Sequence, residues 1–163
     1  MKIGILSDTH GYLHPRLLHF FREVDEIWHA GDIGNLATYR TLEAFKPLRA
    51  VYGNIDGQEL RAVCPNYLAF QAESANVCIN HIGGYPGRYD NEALALIRQN
   101  RPNLFICGHS HILKVQYDQR NHLLYINPGA AGKYGFHQSI TAVRMVIEGK
   151  DFRDMEVLDI PRS

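Results

Sequence analysis

Little in this chain would tie it to a membrane, a charged polymer or an oxidising compartment. It has three cysteines, Cys64, Cys78 and Cys107, an odd and scattered set that suits a reducing compartment better than a disulfide framework. Cys78 and Cys107 lie inside apolar runs and read as small buried side chains. Neither sign of charge is in excess, since 17 basic residues balance 17 acidic ones. No broad cationic field therefore awaits a long nucleic acid or an anionic membrane. A small substrate is the better expectation. No apolar run approaches membrane-spanning length, and "MKIGILSD" offers four apolar residues before polar ones, too few for a signal peptide. These absences predict a soluble cytoplasmic protein. Repeats, low-complexity tracts and Pro/Gly/Ser linkers are also missing, so one domain is expected over residues 1–163, burying roughly two thirds of the surface its unfolded chain exposes.

What is present is organised by short apolar runs that end in polar or glycine-bearing loops. "KIGIL" (Lys2 to Leu6), "EIWHA" (Glu26 to Ala30) and "LRAVY" (Leu48 to Tyr52) have the look of buried strands. Between them, Leu17, Phe20, Phe21 and Val24 follow Pro15 at helical spacing. Leu36, Tyr39, Leu42 and Phe45 repeat the pattern with Asn35 available as N-cap. Alternating strands and helices predict a right-handed, mostly parallel first half. The second half has a candidate hairpin, "YLAFQ" and "NVCIN" across "AESA", then a helix from about Asn91 to Asn100 and the strand "NLFICG". Further pairs follow: "LKVQYD" with "HLLYIN", and "SITAVRMVIEG" with "DFRDMEVLDI". This richness in antiparallel signals predicts two sheets facing one another, with helices outside.

Polar clusters recur where these apolar runs end: "SDTHG" with Asp8 and His10, "AGD" with Asp32, "YGNID" with Asn54 and Asp56, "NH" with His81, and "CGHSH" with His109 and His111. Taken singly, each is an ordinary turn or loop sequence. Together they supply carboxylate, amide and imidazole ligands at strand ends, which in an α/β sheet converge on one crevice. Such a mixture suits borderline divalent metals. The ligands outnumber one ion's needs, and a carboxylate such as Asp32 can bridge a metal pair about 3.5–4 Å apart, the spacing used for displacement at phosphorus.

The ordered blocks "DTH", "GD", "GNID", His81 and "GHSH" resemble the calcineurin-like metallophosphoesterases, and the likeness runs from Ile3 to about Gly132. Within that group the chain is most similar to the short bacterial phosphodiesterases of the YfcE type, which lack a cap domain; "INPGA" (Ile126 to Ala130) fits that branch. The resemblance implies an α/β fold, a four-layer α/β/β/α sandwich of two mixed sheets with helices on the outer faces. It implies two divalent ions, manganese first, with nickel, iron, cobalt, zinc or magnesium as alternatives. Asp8, His10 and His111 would hold one ion, Asn54, His81 and His109 the other, with Asp32 between them; Asp32, Asn54 and His109 would act in catalysis. A metal-bridging hydroxide would attack a small phosphodiester, a nucleotide or cyclic nucleotide among the candidates.

The chain also departs from the family pattern. Ile55 stands where protein phosphatases of this group carry a histidine that helps protonate the leaving group, so a proton would come from water or from another residue such as His137, or be unnecessary for a good leaving group. Asp56 reads as orienting its neighbours rather than binding metal. After His81, Ile82 and Gly83 replace the usual Gly-His. The glycine-rich "GGYPGRYD" then offers Tyr85 or Arg88 to a substrate, and "GKYGFH" offers Lys133 or His137; Asn54, Arg88 and His137 are the expected substrate contacts. His29 reads as a core or supporting imidazole. Competing readings are a phosphomonoesterase or protein phosphatase, and a binding scaffold like the retromer subunit that shares this fold, although none of the seven ligands is missing here. Long nucleic acid and membrane are not expected as partners, and a homo-oligomer is left open.

Overall fold

The structure, a computed structural model, describes residues 1–162. Strands β1 (Lys2–Leu6), β2 (Glu26–His29) and β3 (Leu48–Ala50) run parallel. Helices α1 (Pro15–Phe20) and α2 (Leu36–Phe45) make the two crossovers. Pro15 opens α1, whose N-cap is His14, and the Asn35 side chain caps α2 by accepting the Thr38 amide at 2.8 Å. A one-turn helix, α3 (Gln58–Arg61), lies on the connection from β3 to the second sheet.

That sheet is built from β4 (Tyr67–Ala72) and β5 (Ala75–Asn80), an antiparallel hairpin as the sequence predicted. A small two-stranded hairpin, β6 (Gly84–Tyr85) and β7 (Arg88–Tyr89), and helix α4 (Asn91–Asn100) follow. Then come β8 (Leu104–Ile106), β9 (Leu113–Asp118), β10 (Leu123–Pro128), β11 (Ser139–Glu148) and β12 (Asp151–Pro161). The two main sheets have the orders β12-β11-β1-β2-β3 and β4-β5-β8-β10-β9. Both are mixed, because β11 joins β1 antiparallel and because β5, β8 and β10 run parallel to one another. The antiparallel signals of the second half thus overstate its own sheet: its longest hairpin, β11–β12, completes the first one.

Strand alternation explains the layers. On β1, Ile3 and Ile5 point between the sheets, where they meet Trp28, Val143, Met145, Val77, Ile79, Leu104, Ile106 and Ile126. Gly4 and Leu6 point the other way, and the Phe21 ring lies where a Gly4 side chain would be. There Leu6, Leu17, Phe21, Ile27 and Leu42 form a second core beneath α1 and α2. On the far side Cys78, Phe105, Cys107 and Tyr125 pack with Ala93 and Ile97 of α4. Helices, sheet, sheet and helix therefore form the expected four layers. All three cysteines are buried and unpaired. No helix among the described residues is long and apolar enough to cross a membrane.

Candidate metal centre

The parallel strands of both sheets end on the same side of the molecule, and β1, β2, β3, β5 and β8 are each followed by one of the polar clusters. Their loops are stitched to one another by backbone hydrogen bonds: the Asp8 amide donates to Gly31 O (2.9 Å), His10 N to Asp32 O (3.0 Å), Gly108 N to His81 O (2.9 Å) and Gly132 N to Asp8 O (3.0 Å). Two motif glycines permit a further close approach between these loops. A Cβ on Gly53 would collide with the Asp32 carboxylate, and one on Gly108 with the Ser7 hydroxyl. Asp8, His10, Asp32, His109 and His111 all adopt left-handed backbone, with φ of 53°, 46°, 56°, 71° and 63°. Non-glycine residues in that region cost roughly 1–3 kcal/mol each and are retained where a site needs the resulting side-chain direction.

The side chains gather into two triads, Asp8 with His10 and His111, and Asp32 with His81 and His109. In each carboxylate one oxygen is committed to the protein. Asp8 Oδ2 accepts the Ser7 hydroxyl (2.6 Å) and the His109 amide (3.1 Å), and Asp32 Oδ1 accepts the Ile55 amide (3.1 Å). The other oxygens face the histidines. Asp8 Oδ1 lies 3.2 Å from His111 Nε2 and 3.7 Å from His10 Nε2. Asp32 Oδ2 lies 3.2 Å from His81 Nε2 and 3.6 Å from His10 Nε2, so a single oxygen stands between the triads. Asn54 Oδ1 sits 3.1 Å from His109 Nδ1, beside the second triad.

Ring orientation is set from behind. His81 Nδ1 lies 2.8 Å from the Ala30 carbonyl, which can only accept, so that nitrogen carries the proton and the Nε2 lone pair points inward. His111 Nδ1 lies 3.2 Å from His137 Nδ1, while His137 Nε2 donates to Gly132 O at 2.7 Å. The bare nitrogen of His137 therefore accepts from His111 Nδ1, which frees His111 Nε2 to face Asp8. Asp8 Oδ1, His10 Nε2 and His81 Nε2 are buried and have no hydrogen-bond partner. Three orphaned polar atoms converging on one spot are costly without a cation, and a cation satisfies them once each presents a lone pair. A divalent ion fits this donor set.

The electrostatics agree. Burial alone would raise the Asp8 carboxyl, but the facing His10 and His111 rings, the charge of His81 and the Ser7 hydroxyl outweigh it and hold the group well below the usual carboxylate range. His10 is raised chiefly by Asp8, against desolvation. For His81 desolvation is the largest influence and lowers it, yet Asp32 and Asp8 carry the net value upward. His29 behaves oppositely: it is fully buried, and desolvation pushes it down to about 4. Its ring accepts the Gly31 amide at Nδ1 (3.0 Å) and donates from Nε2 to Thr9 Oγ1 (3.0 Å), which itself donates to Ile33 O (2.8 Å). His29 thus props the loops of Asp8 and Asp32.

Asp56 does the same for the Asp32 and Asn54 loops. It accepts the amides of Ile33 (3.1 Å), Gly34 (3.0 Å) and Gly53 (2.9 Å). Asn127, which the sequence marked only through "NPG", spans Gly108 O and Ser110 Oγ with its amide nitrogen (both 3.0 Å) and so holds the loop of His109 and His111. The supporting hydroxyls of Ser7 and Thr9 gave no sequence signal, because a serine or threonine beside a motif looks the same whether or not it bonds inward.

Two expected substrate contacts lie elsewhere. Arg88, on β7, lines a groove with Arg98, Gln116 and Arg120 that contains none of the triad residues. Tyr85 of the same hairpin lines a recess that His109 also lines. His137 has both ring nitrogens engaged behind His111, which leaves neither for a substrate or a leaving group.

Two sheets packed face to face, with histidine–carboxylate triads at their shared carboxyl edge, are the architecture of a metal-dependent phosphoric ester hydrolase. The chain belongs to the calcineurin-like phosphoesterase superfamily, whose domain matches residues 1–150. It is 29% identical over 136 residues to a protein of Methanothermobacter thermautotrophicus named "probable metallophosphoesterase", covering 80% of this chain and 77% of that one. A phosphodiesterase of Methanocaldococcus jannaschii is 24% identical over 172 residues, covering 95% and 98%. Among solved structures, Vps29 from Entamoeba histolytica, crystallised with zinc, superposes with a TM-score of 0.75 at 18% identity, over 98% and 99% of the two chains.

Proposed function

We propose that the chain is a phosphodiesterase that uses two divalent ions on a small phosphodiester. Asp8, His10 and His111 would hold one ion, and Asn54, His81 and His109 the other, with Asp32 Oδ2 shared. The observation that carries this reading is the convergence of Asp8 Oδ1, His10 Nε2 and His81 Nε2, buried and unpartnered, between the two triads. When bound, such ions act as Lewis acids, lower the pKa of water and neutralise phosphate charge.

The residues themselves orient and exclude. Ala30 O and His137 fix the tautomers of His81 and His111, so that neither ring turns its N–H inward. Asn54 and His109, at the exposed side of the second triad, are placed to meet a phosphoryl oxygen. Nothing at residue 55 can hand a proton to a leaving alcohol, because Ile55 is apolar and half exposed, which favours esters with stable leaving groups. Arg88, the one arginine the sequence offered to the phosphate, lies in a groove apart from both triads. That supports a singly charged diester over a doubly charged monoester. The mixed oxygen and nitrogen ligands suit manganese, with iron, cobalt, nickel and zinc close behind. The M. jannaschii relative carries the same activity in its name.

Hydrolysis of bis(4-nitrophenyl) phosphate and of 4-nitrophenyl phosphate by metal-stripped protein reloaded with Mn²⁺ tests the proposal. The diester should be the better substrate, and Asp32→Ala or His109→Ala should remove nearly all turnover. Full activity in either variant, or under excess chelator, refutes it, while preference for the monoester selects the phosphatase reading. A second reading, a protein-binding scaffold, is favoured by one observation. Ile55, Tyr85, Ile112, Tyr134 and Phe136, half of the exposed large apolar side chains among the described residues, sit on the loops and the short hairpin that carry or flank the site. The likeness to Vps29 bears on that reading, and an intact metal centre without turnover would select it.

A further inference from the structure

Beside the second triad lies a recess of about 310 Å³ that the proposed chemistry does not use. His109 belongs to both, so a group bonded to phosphorus at the metal centre has the recess as its neighbour. Its walls are Ile82, Tyr85 and Ile112, and its polar groups include Lys114 and Asp90. The Lys114 ammonium lies 5.1 Å from the centre of the Tyr85 ring. Ile82 and Gly83 are also where the sequence departs from its family pattern, and at position 83 a side chain would collide with Cys107.

This wall is fixed rather than loose. The buried Tyr125 hydroxyl donates to Gly84 O, the Cys107 thiol donates to Tyr125 (3.3 Å), and the Asp90 amide donates to Gly83 O (3.0 Å). The recess is therefore formed before any ligand arrives, which lowers the cost of ordering on binding. Its volume is near the lower end of ligand pockets, room for one ring and not for a polymer. An aromatic side wall with an ammonium against it favours a flat ring over a branched alkyl group, since ring–ring contacts add to simple apolar burial. Lys114 and Asp90 provide a donor and an acceptor for polar atoms on the ring's edge.

We infer that this recess recognises the substrate: it takes one planar aromatic substituent of the phosphodiester, held against Tyr85 and Ile112 with Lys114 at its rim. The inference rests on the metal centre binding the phosphoryl group. Its test is calorimetric titration of the Mn²⁺-loaded protein with methylphosphonate, cyclohexylphosphonate and phenylphosphonate, in wild type, Tyr85→Ala and Ile112→Ala. Both side chains are largely exposed, at 44% and 65%, so neither truncation removes a core residue.

Phenylphosphonate should bind wild type about tenfold more tightly than methylphosphonate, the order expected for withdrawing one ring from water, and more tightly than the cyclohexyl compound. Each substitution should remove most of that advantage and leave methylphosphonate unchanged. Equal affinity for phenyl and methyl, equal affinity for phenyl and cyclohexyl, or a preference that survives both substitutions overturns the recess. Failure of methylphosphonate itself to bind overturns the metal–phosphoryl reading beneath it.

Discussion

Replacing Asp56 by asparagine should separate the scaffold of this site from its ligands. The carboxylate touches no ion in the proposed arrangement, yet it accepts three backbone amides from two loops: Ile33 and Gly53 at Oδ2, and Gly34 at Oδ1. In Asp56→Asn the carbonyl oxygen can keep the first pair, now without charge assistance, and the amide NH₂ must then face the Gly34 N–H. An amide left without its acceptor costs about 1–3 kcal/mol, and two bonds reduced from charged to neutral cost about 0.5–1 kcal/mol each. The sum is about 3 kcal/mol, which for a chain of this size lowers the melting temperature by about 6–12 °C. Because Ile33 follows Asp32 and Gly53 precedes Asn54, the same substitution should weaken Mn²⁺ binding by about tenfold or more. Thermal unfolding by circular dichroism with and without chelator, together with a Mn²⁺ titration, reads both effects. A variant that melts within 2 °C of wild type and binds Mn²⁺ equally well would refute the reasoning.

Gly53→Ala should lose metal binding while keeping its sheets, since a Cβ there meets the Asp32 carboxylate; unchanged Mn²⁺ affinity would contradict this. His137→Ala should weaken Mn²⁺ binding about tenfold by freeing the His111 ring, and His137→Asn, which can still accept at its carbonyl oxygen, should recover part of the loss; equal loss in both variants would show that the His111 contact is not the cause. For His29 the sign follows from its depressed value. The folded group sits at about 4 against an ordinary 6.5, so its contribution is complete above pH 6.5 and is lost as the pH falls through 4. That amounts to about 3 kcal/mol. Urea unfolding of chelator-treated protein should therefore fall less steeply between pH 6.5 and 4 in His29→Gln than in wild type, and parallel pH profiles would exclude His29 as the source.

Much of the site is legible in the order of residues because its chemistry depends on residue type at strand ends. Asp8, His10, Asp32, His81, His109 and His111 each follow an apolar run within a few positions, and parallel strands bring such positions together whatever the details between them. Asp56 could be read as a supporter because it closes a turn block, and His29 because it lies inside a strand. Arg88 and His137 could not be placed. A flexible-looking stretch such as "GGYPGRYD" carries no periodicity, so nothing in it shows that β6 and β7 pair, that Arg88 lines a groove apart from the triads or that Tyr85 lines the recess shared with His109.

What the sequence determined by itself is therefore the alternation of buried and exposed positions, the helix starts at the Asn35 cap and at Pro15, and the set of ligand types delivered to one edge. These follow from local rules of period, capping and chain direction. Only the tertiary structure decided that β11 pairs with β1, that Asp32 turns Oδ2 alone towards both triads, and that His81 and His111 carry their protons on the outward nitrogen. Each of these depends on a partner far along the chain, Met145, Ile55, Ala30 or His137, and a hydrogen bond between distant residues leaves no mark on the sequence near either of them.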